Sequence, residues 1–181
     1  MMKFDEKTLH QEYKFRGRIM SARVDEIELP DGRPSIREVC EHVGGVGVLP
    51  IDAEGNVILV RQFRYPYGKV LCEIPAGKLD HGPEDVQTCG MRELEEETGY
   101  TAGRMVPLGI SYPSPGFLDE VTYLFAALDL TPGETHPDEG EFVEKVIMPF
   151  RELERRIAED EIRDSKTIAA AYRARLKGLV E

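Results

Sequence analysis

The sequence predicts a mixed α/β (α+β) fold, and three observations carry that prediction. Runs rich in β-branched residues, such as Val57-Ile58-Leu59-Val60, recur between residues 15 and 150. Between Pro83 and Thr98 the apolar spacing changes to that of an amphipathic helix. Beyond residue 150 two further stretches read as helices that close the chain.

In order along the chain, residues 15–29 (FRGRIMSARVDEIEL) alternate apolar and polar side chains ahead of the turn-prone PDGRP, which predicts an antiparallel strand pair joined near Asp31-Gly32. Two β-branched runs, 35–52 and 56–67, follow on either side of the turn-rich 52–56 and are expected in one sheet. In the helix over 83–98, Val86, Cys89, Gly90 and Leu94 share one side. Pro83 suits the first helical position, Glu84 and Asp85 favour the positive end of the dipole, and Gly99 supplies a left-handed stop. Strands are expected at 105–112, 120–130 and 142–150, and helices at 151–162 and 164–180. The stretch 131–141 (TPGETHPDEGE) reads as the longest irregular loop.

A chain of 181 residues suffices for one compact domain with a terminal element added. With 41% hydrophobic and 31% charged residues it has the composition of a folded globular protein. No apolar run approaches the roughly 20 residues that cross a bilayer, and the start lacks a signal-peptide core, so no membrane association and a cytoplasmic location are the expectation. Cys40, Cys72 and Cys89 form no CxxC pair and read as buried thiols. A net charge of −11 repels long nucleic acids. A small phosphorylated substrate is itself anionic, so handling one here requires a bridging cation or local arginines.

The segment Arg92-Glu93-Leu94-Glu95-Glu96-Glu97 sets Glu93, Glu96 and Glu97 on one helical face. Like charges at that spacing repel by a few tenths of a kcal/mol per pair, so either water screens them or a cation offsets them. A solvated face is the plain alternative. Oxygen ligands select hard cations, Mg²⁺ or Mn²⁺.

The stretch from Gly77 to Glu84, seven residues, and then Arg92-Glu93-Leu94-x-Glu96-Glu97-x-Gly99-Tyr100 resembles the signature box of the Nudix hydrolases. Two departures stand out: six residues separate Gly77 from Glu84 where the family has five, and Tyr100 replaces an aliphatic residue. The resemblance implies an α/β/α sandwich around a mixed β-sheet. It makes Glu93, Glu96 and Glu97 metal ligands, and Gly77, Glu84 and Gly99 structural members of the box. Arg92 would be an orienting part of the catalytic set, paired with Glu84. Metals at such a site neutralise a diphosphate and lower the pKa of bound water.

Beyond the box, Arg61-Gln62-Phe63-Arg64-Tyr65-Pro66, Glu73-Ile74-Pro75-Ala76-Gly77 and Ser114-Pro115-Gly116-Phe117-Leu118-Asp119-Glu120 look like the ADP-ribose pyrophosphatase branch, with Pro115 placed 16 residues after Gly99. That resemblance implies that the Ala76 carbonyl joins the metal shell, that Arg64 and Arg37 hold the substrate, and that Glu73 lines the site. Arginine suits that task because its fork binds phosphate oxygens bidentately. Glu139 and Glu141 match the branch's two loop glutamates, with Glu141 favoured as metal ligand or base. It also implies a homodimer, with residues 1–40 a strand region contributing to dimerisation and 41–181 the Nudix domain. Tyr13 and Phe15 read as packing residues and His42, His81 and His136 as surface or structural ones.

The expected reaction is Mg²⁺-dependent hydrolysis of ADP-ribose to AMP and ribose 5-phosphate. Alternatives are the same chemistry on GDP-mannose or an ADP-sugar, a non-catalytic nucleotide-binding module, or a plain acidic cation binder. The intact set Arg92, Glu93, Glu96 and Glu97 argues against the non-catalytic module.

Overall fold

The computed structural model describes residues 4–79, 85–136 and 140–181. The chain divides into two compact units, residues 1–44 with 112–121, and residues 45–111 with 122–181.

The first unit is a three-stranded antiparallel sheet, β1 (Lys7–Arg16), β2 (Met20–Glu28) and β3 (Pro34–His42), in that order. The β2–β3 hairpin turns where expected: the Gly32 N–H returns to the Leu29 carbonyl at 2.8 Å, and Gly32 has φ +86°. β1 is a strand that periodicity did not disclose, because all ten of its residues are exposed. Phe15 belongs to β1 and not to β2. Residues 112–121 join this sheet through Cys40, whose N–H donates to the Phe117 carbonyl at 2.7 Å and whose carbonyl accepts from Asp119 at 3.1 Å.

The second unit holds two sheets. One, antiparallel, has the order β10 (Val143–Pro149), β5 (Asn56–Arg64), β6 (Lys69–Glu73). The other, mixed, has the order β7 (Ala76–Lys78), β4 (Gly45–Pro50), β9 (Thr122–Pro132), β8 (Tyr100–Ser111), with β4 and β9 parallel. The expectation that 35–52 and 56–67 share a sheet is therefore corrected. The first run splits into β3 and β4, and β5 pairs elsewhere, because the Asp52–Asn56 turn leaves only an Ile51–Val57 bridge between the two runs.

The mixed sheet is covered on both faces at β4 and β9, which explains why those two strands are apolar and largely buried along their paired lengths. Val46, Val48, Phe125 and Ala127 pack on Cys89 and Leu94 of α1 (Val86–Thr98). Leu49, Leu124, Ala126 and Leu128 pack with Ala170, Ala171 and Ala174 of α3 (Ser165–Leu176), beside Phe150 and Leu153 of α2 (Phe150–Ala158). This is the expected α/β/α layering. α1 starts at Val86, later than its predicted start at Pro83, because the Asp85 side chain accepts the Gln87 and Thr88 N–H groups at 3.0 and 3.1 Å and so takes the capping position. Gly99, at φ +75°, ends it in the left-handed conformation as predicted. Among the described residues no helix is long and apolar enough to cross a membrane. No disulfide joins the cysteines; Cys89 is buried, Cys40 and Cys72 half-buried.

Candidate active site

α1 buries two of its carboxylates. Glu93 and Glu97, one turn apart, are only 8% and 5% exposed, so this is not a solvated charged face. The Glu97 carboxylate accepts the Ala76 N–H at 3.1 Å. Gly77 packs directly on Glu93, since a Cβ there would overlap the Glu93 carboxylate. Thus β7 and α1 are fitted together around acidic side chains, and glycine at 77 makes the approach possible.

Burial pushes Glu97 up to about 8, against the Ala76 hydrogen bond, with Glu93, Glu141 and Glu73 adding repulsion. Burial likewise raises Glu93 above the usual carboxylate range, against the pull of Arg92 and with added repulsion from Glu96 and Glu141. Arg92 donates to Glu96 at 2.7 Å and pairs with Glu93 at 2.9 Å. Its expected pair with Glu84 involves a residue outside the described ones, as do Glu139 and His81. Glu141 is exposed, and its charge reaches both buried glutamates.

Two contacts tie the ends of the acidic loop to α1. The His136 N–H donates to the Glu96 carbonyl at 2.9 Å, and Lys145 Nζ donates to the Thr98 carbonyl at 2.8 Å. A cation there also complements the negative end of the helix dipole. Lys145, which also lies over the Tyr100 ring, carried no signal in sequence because its partner is a backbone atom.

Arg64 grips Glu73 with two hydrogen bonds, Nε at 2.7 Å and Nη2 at 2.9 Å. Glu73 is 1% exposed and also bonds Lys166 of α3. Burial acts to raise its pKa, but Arg64 and Lys166 outweigh that and hold it below the usual carboxylate range. Its oxygens therefore face two cations within the protein. Lys166, Asp164 and Thr167 are site-adjacent residues that sequence reasoning missed. In the first unit, Arg37 pairs with Glu6, and the His42 ring accepts the Gly44 N–H at 3.1 Å, a structural role. Tyr13 donates to Glu41 at 3.1 Å.

The side chains here, Glu93, Glu96 and Glu97, offer only oxygen atoms; two are buried carboxylates whose ionisation burial opposes, and the Ala76 group that faces Glu97 is its N–H. That set fits a hard divalent cation, whose charge would offset the repulsion. Among the described residues no three His, Cys, Asp or Glu side chains are grouped so as to hold a metal ion. Arg92 holds an oxygen of Glu93 and of Glu96.

The chain is similar to known proteins along its whole length. It is 41% identical over 179 residues to an ADP-ribose pyrophosphatase of Bacillus subtilis (strain 168), covering 98% of this chain and 96% of that one. It is 42% identical over 176 residues to a methanol dehydrogenase activator of Bacillus methanolicus, covering 96% and 95%. A crystal structure of an ADP compounds hydrolase superposes with a TM-score of 0.85 at 22% identity, over 99% of this chain and 97% of that one, which shows the shared fold. Residues 6–40 match the nucleoside diphosphate sugar hydrolase N-terminal domain. Residues 41–171 match the NUDIX domain, whose members generally use divalent metal ions, and the chain belongs to this family of hydrolases.

Proposed function

We propose that the protein hydrolyses ADP-ribose at its diphosphate bridge, giving AMP and ribose 5-phosphate. The chemistry rests on one observation above others: two buried carboxylates, Glu93 and Glu97, packed against Gly77 and the Ala76 N–H. The substrate rests on the near full-length similarity to a protein named ADP-ribose pyrophosphatase.

We assign Mg²⁺ as the metal, with Mn²⁺ as a substitute, held by Glu93, Glu96, Glu97 and the Ala76 carbonyl. Bound there, it supplies charge neutralisation on the diphosphate and a lowered pKa for water. The chain's residues do the rest. Glu141 accepts the proton of the attacking water, and Glu139 stands two residues before it in sequence. The water oxygen bonds to one phosphorus while the bridging oxygen leaves with the other phosphate. Arg64 binds a phosphate oxygen through the nitrogen that Glu73 leaves uncovered. Arg92 orients Glu93 and Glu96.

We assign the active form to a homodimer whose N-terminal strands contribute Arg37 to substrate binding. Support comes from β1, which exposes Leu9, Tyr13 and Phe15.

Product analysis with Mg²⁺ and separate ADP-ribose, GDP-mannose, UDP-glucose and NAD⁺ tests the reading. AMP release from ADP-ribose is expected, with Glu97→Gln lowering kcat by about a hundredfold or more. Faster cleavage of another nucleotide sugar would overturn the substrate and keep the chemistry. The relative named methanol dehydrogenase activator favours a second reading, action on a dehydrogenase partner; adding the protein to a methanol dehydrogenase assay tests it.

A further inference from the structure

The first turn of α3 grips two consecutive residues at the end of β6. Lys166 bonds the Glu73 carboxylate, and Lys166 also bonds Asp164 at 2.9 Å. Thr167 accepts the Ile74 N–H at 2.9 Å and gives its own hydroxyl proton to Asp164 at 2.6 Å. Asp164 in turn caps α3 by accepting the Thr167 N–H at 2.9 Å. The run continues without a loose residue, because the Pro75 carbonyl accepts from Val48 at 2.9 Å and the Ala76 N–H donates to Glu97 at 3.1 Å. Residues 73–76 thus form a fixed platform between α3 and α1.

Bracing α3 would require only Asp164 and Thr167, which already cap it and bond Ile74. Lys166 does something else. Its side chain is 17% exposed, and its ammonium reaches a carboxylate that Arg64 already holds with two bonds. A carboxylate gripped by a single guanidinium can swing with it as a unit, whereas an additional donor on Oε2 fixes the carboxylate plane and therefore the guanidinium plane. Arg64 spends Nε and Nη2 on Glu73, and among the described residues Nη1 has no partner.

We propose that Lys166 is a positioning residue: through Glu73 it fixes the direction in which Arg64 presents Nη1 to a phosphate oxygen of the substrate. The C-terminal helix thereby becomes part of the support of the site. This rests on the reading of Arg64 as a substrate residue in ADP-ribose hydrolysis.

The test is a double-mutant cycle on the full chain with Mg²⁺ and ADP-ribose, using Lys166→Met, Lys166→Arg, Arg64→Ala and the Lys166→Met/Arg64→Ala pair. Lys166→Met should raise KM about fivefold and leave kcat within about twofold, since a misdirected Arg64 weakens ground and transition states alike. Lys166→Arg, which keeps a donor for Glu73, should restore KM to within about twofold of wild type. In the Arg64→Ala background, Lys166→Met should add less than about twofold. A Lys166 effect of the same factor in both backgrounds overturns the proposal, as does an Arg64→Ala protein with wild-type KM. If the wild-type protein leaves ADP-ribose intact, the functional reading fails, and the positioning role is still decided by NMR. The Arg64 Nε–H resonance should shift and exchange faster with solvent in Lys166→Met, and an unchanged resonance overturns the proposal.

Discussion

At the scale of single residues, the site is governed by what burial does to carboxylates. Glu97 is pushed up to about 8 in the absence of a cation, above its unfolded value, so the folded state binds a proton more tightly than the unfolded one. Stability therefore falls as pH rises from the unfolded pKa of about 4.5 through the folded one, by on the order of a few kcal/mol. Chelator-treated protein should unfold at a lower temperature at pH 9 than at pH 6. Glu97→Gln should remove most of that drop, and added Mg²⁺ should raise the wild-type melting temperature more at pH 9 than at pH 6. A drop of equal size in the variant would place its origin elsewhere. Gly77 is the complementary case. An added Cβ collides with the Glu93 carboxylate and not with a flexible apolar end, so Gly77→Ala must displace Glu93. The expected result is a kcat about a hundredfold lower, read by steady-state kinetics, with the fold retained by circular dichroism.

At the scale of elements, legibility followed how local the determinants are. α1 was readable because its stop lies beside it at Gly99 and its apolar spacing is regular, although its first residue was set by the Asp85 side chain and not by Pro83. The Glu93 and Glu97 face was identified by spacing, but its burial was not, since that depends on β7, where Gly77 packs on Glu93 and the Ala76 N–H bonds Glu97. β1 escaped because a fully exposed strand has no buried face to impose a period of two. α3 was readable as a helix and unreadable as a support, because its bonds to Glu73 and Ile74 each span 93 residues. That support has a measurable strength. Thr167→Val would leave the buried Ile74 N–H without its acceptor, at a cost of about 1–3 kcal/mol. Urea unfolding should show the midpoint reduced with the slope unchanged. An unaltered midpoint would mean that water replaces the hydroxyl.

At the scale of the whole molecule, the proposed homodimer is a matter of which forces outweigh which. A chain carrying −11 repels its copy, so association needs apolar burial or strand pairing to overcome that repulsion. β1 offers both. Among the described residues it lies at the edge of its sheet, with no strand paired to its outer side, and it leaves Leu9 52% and Phe15 56% exposed. An open edge of this length with exposed apolar residues is a template for pairing unless a partner covers it. Sedimentation equilibrium should therefore return about twice the 20.4 kDa chain mass at micromolar concentration. Self-repulsion of like-charged copies is screened by salt while apolar burial is not, so raising the salt from 50 to 500 mM should strengthen the association. Leu9→Asp with Phe15→Asp adds charge and removes apolar area at the same edge. Because both residues are exposed in the chain, this variant should shift the mass toward 20.4 kDa while leaving the melting temperature of the folded chain within a few degrees of wild type. A variant that remains dimeric would move the interface away from β1, and a wild-type mass of 20.4 kDa throughout would remove the dimer and its contribution of Arg37 to the substrate site.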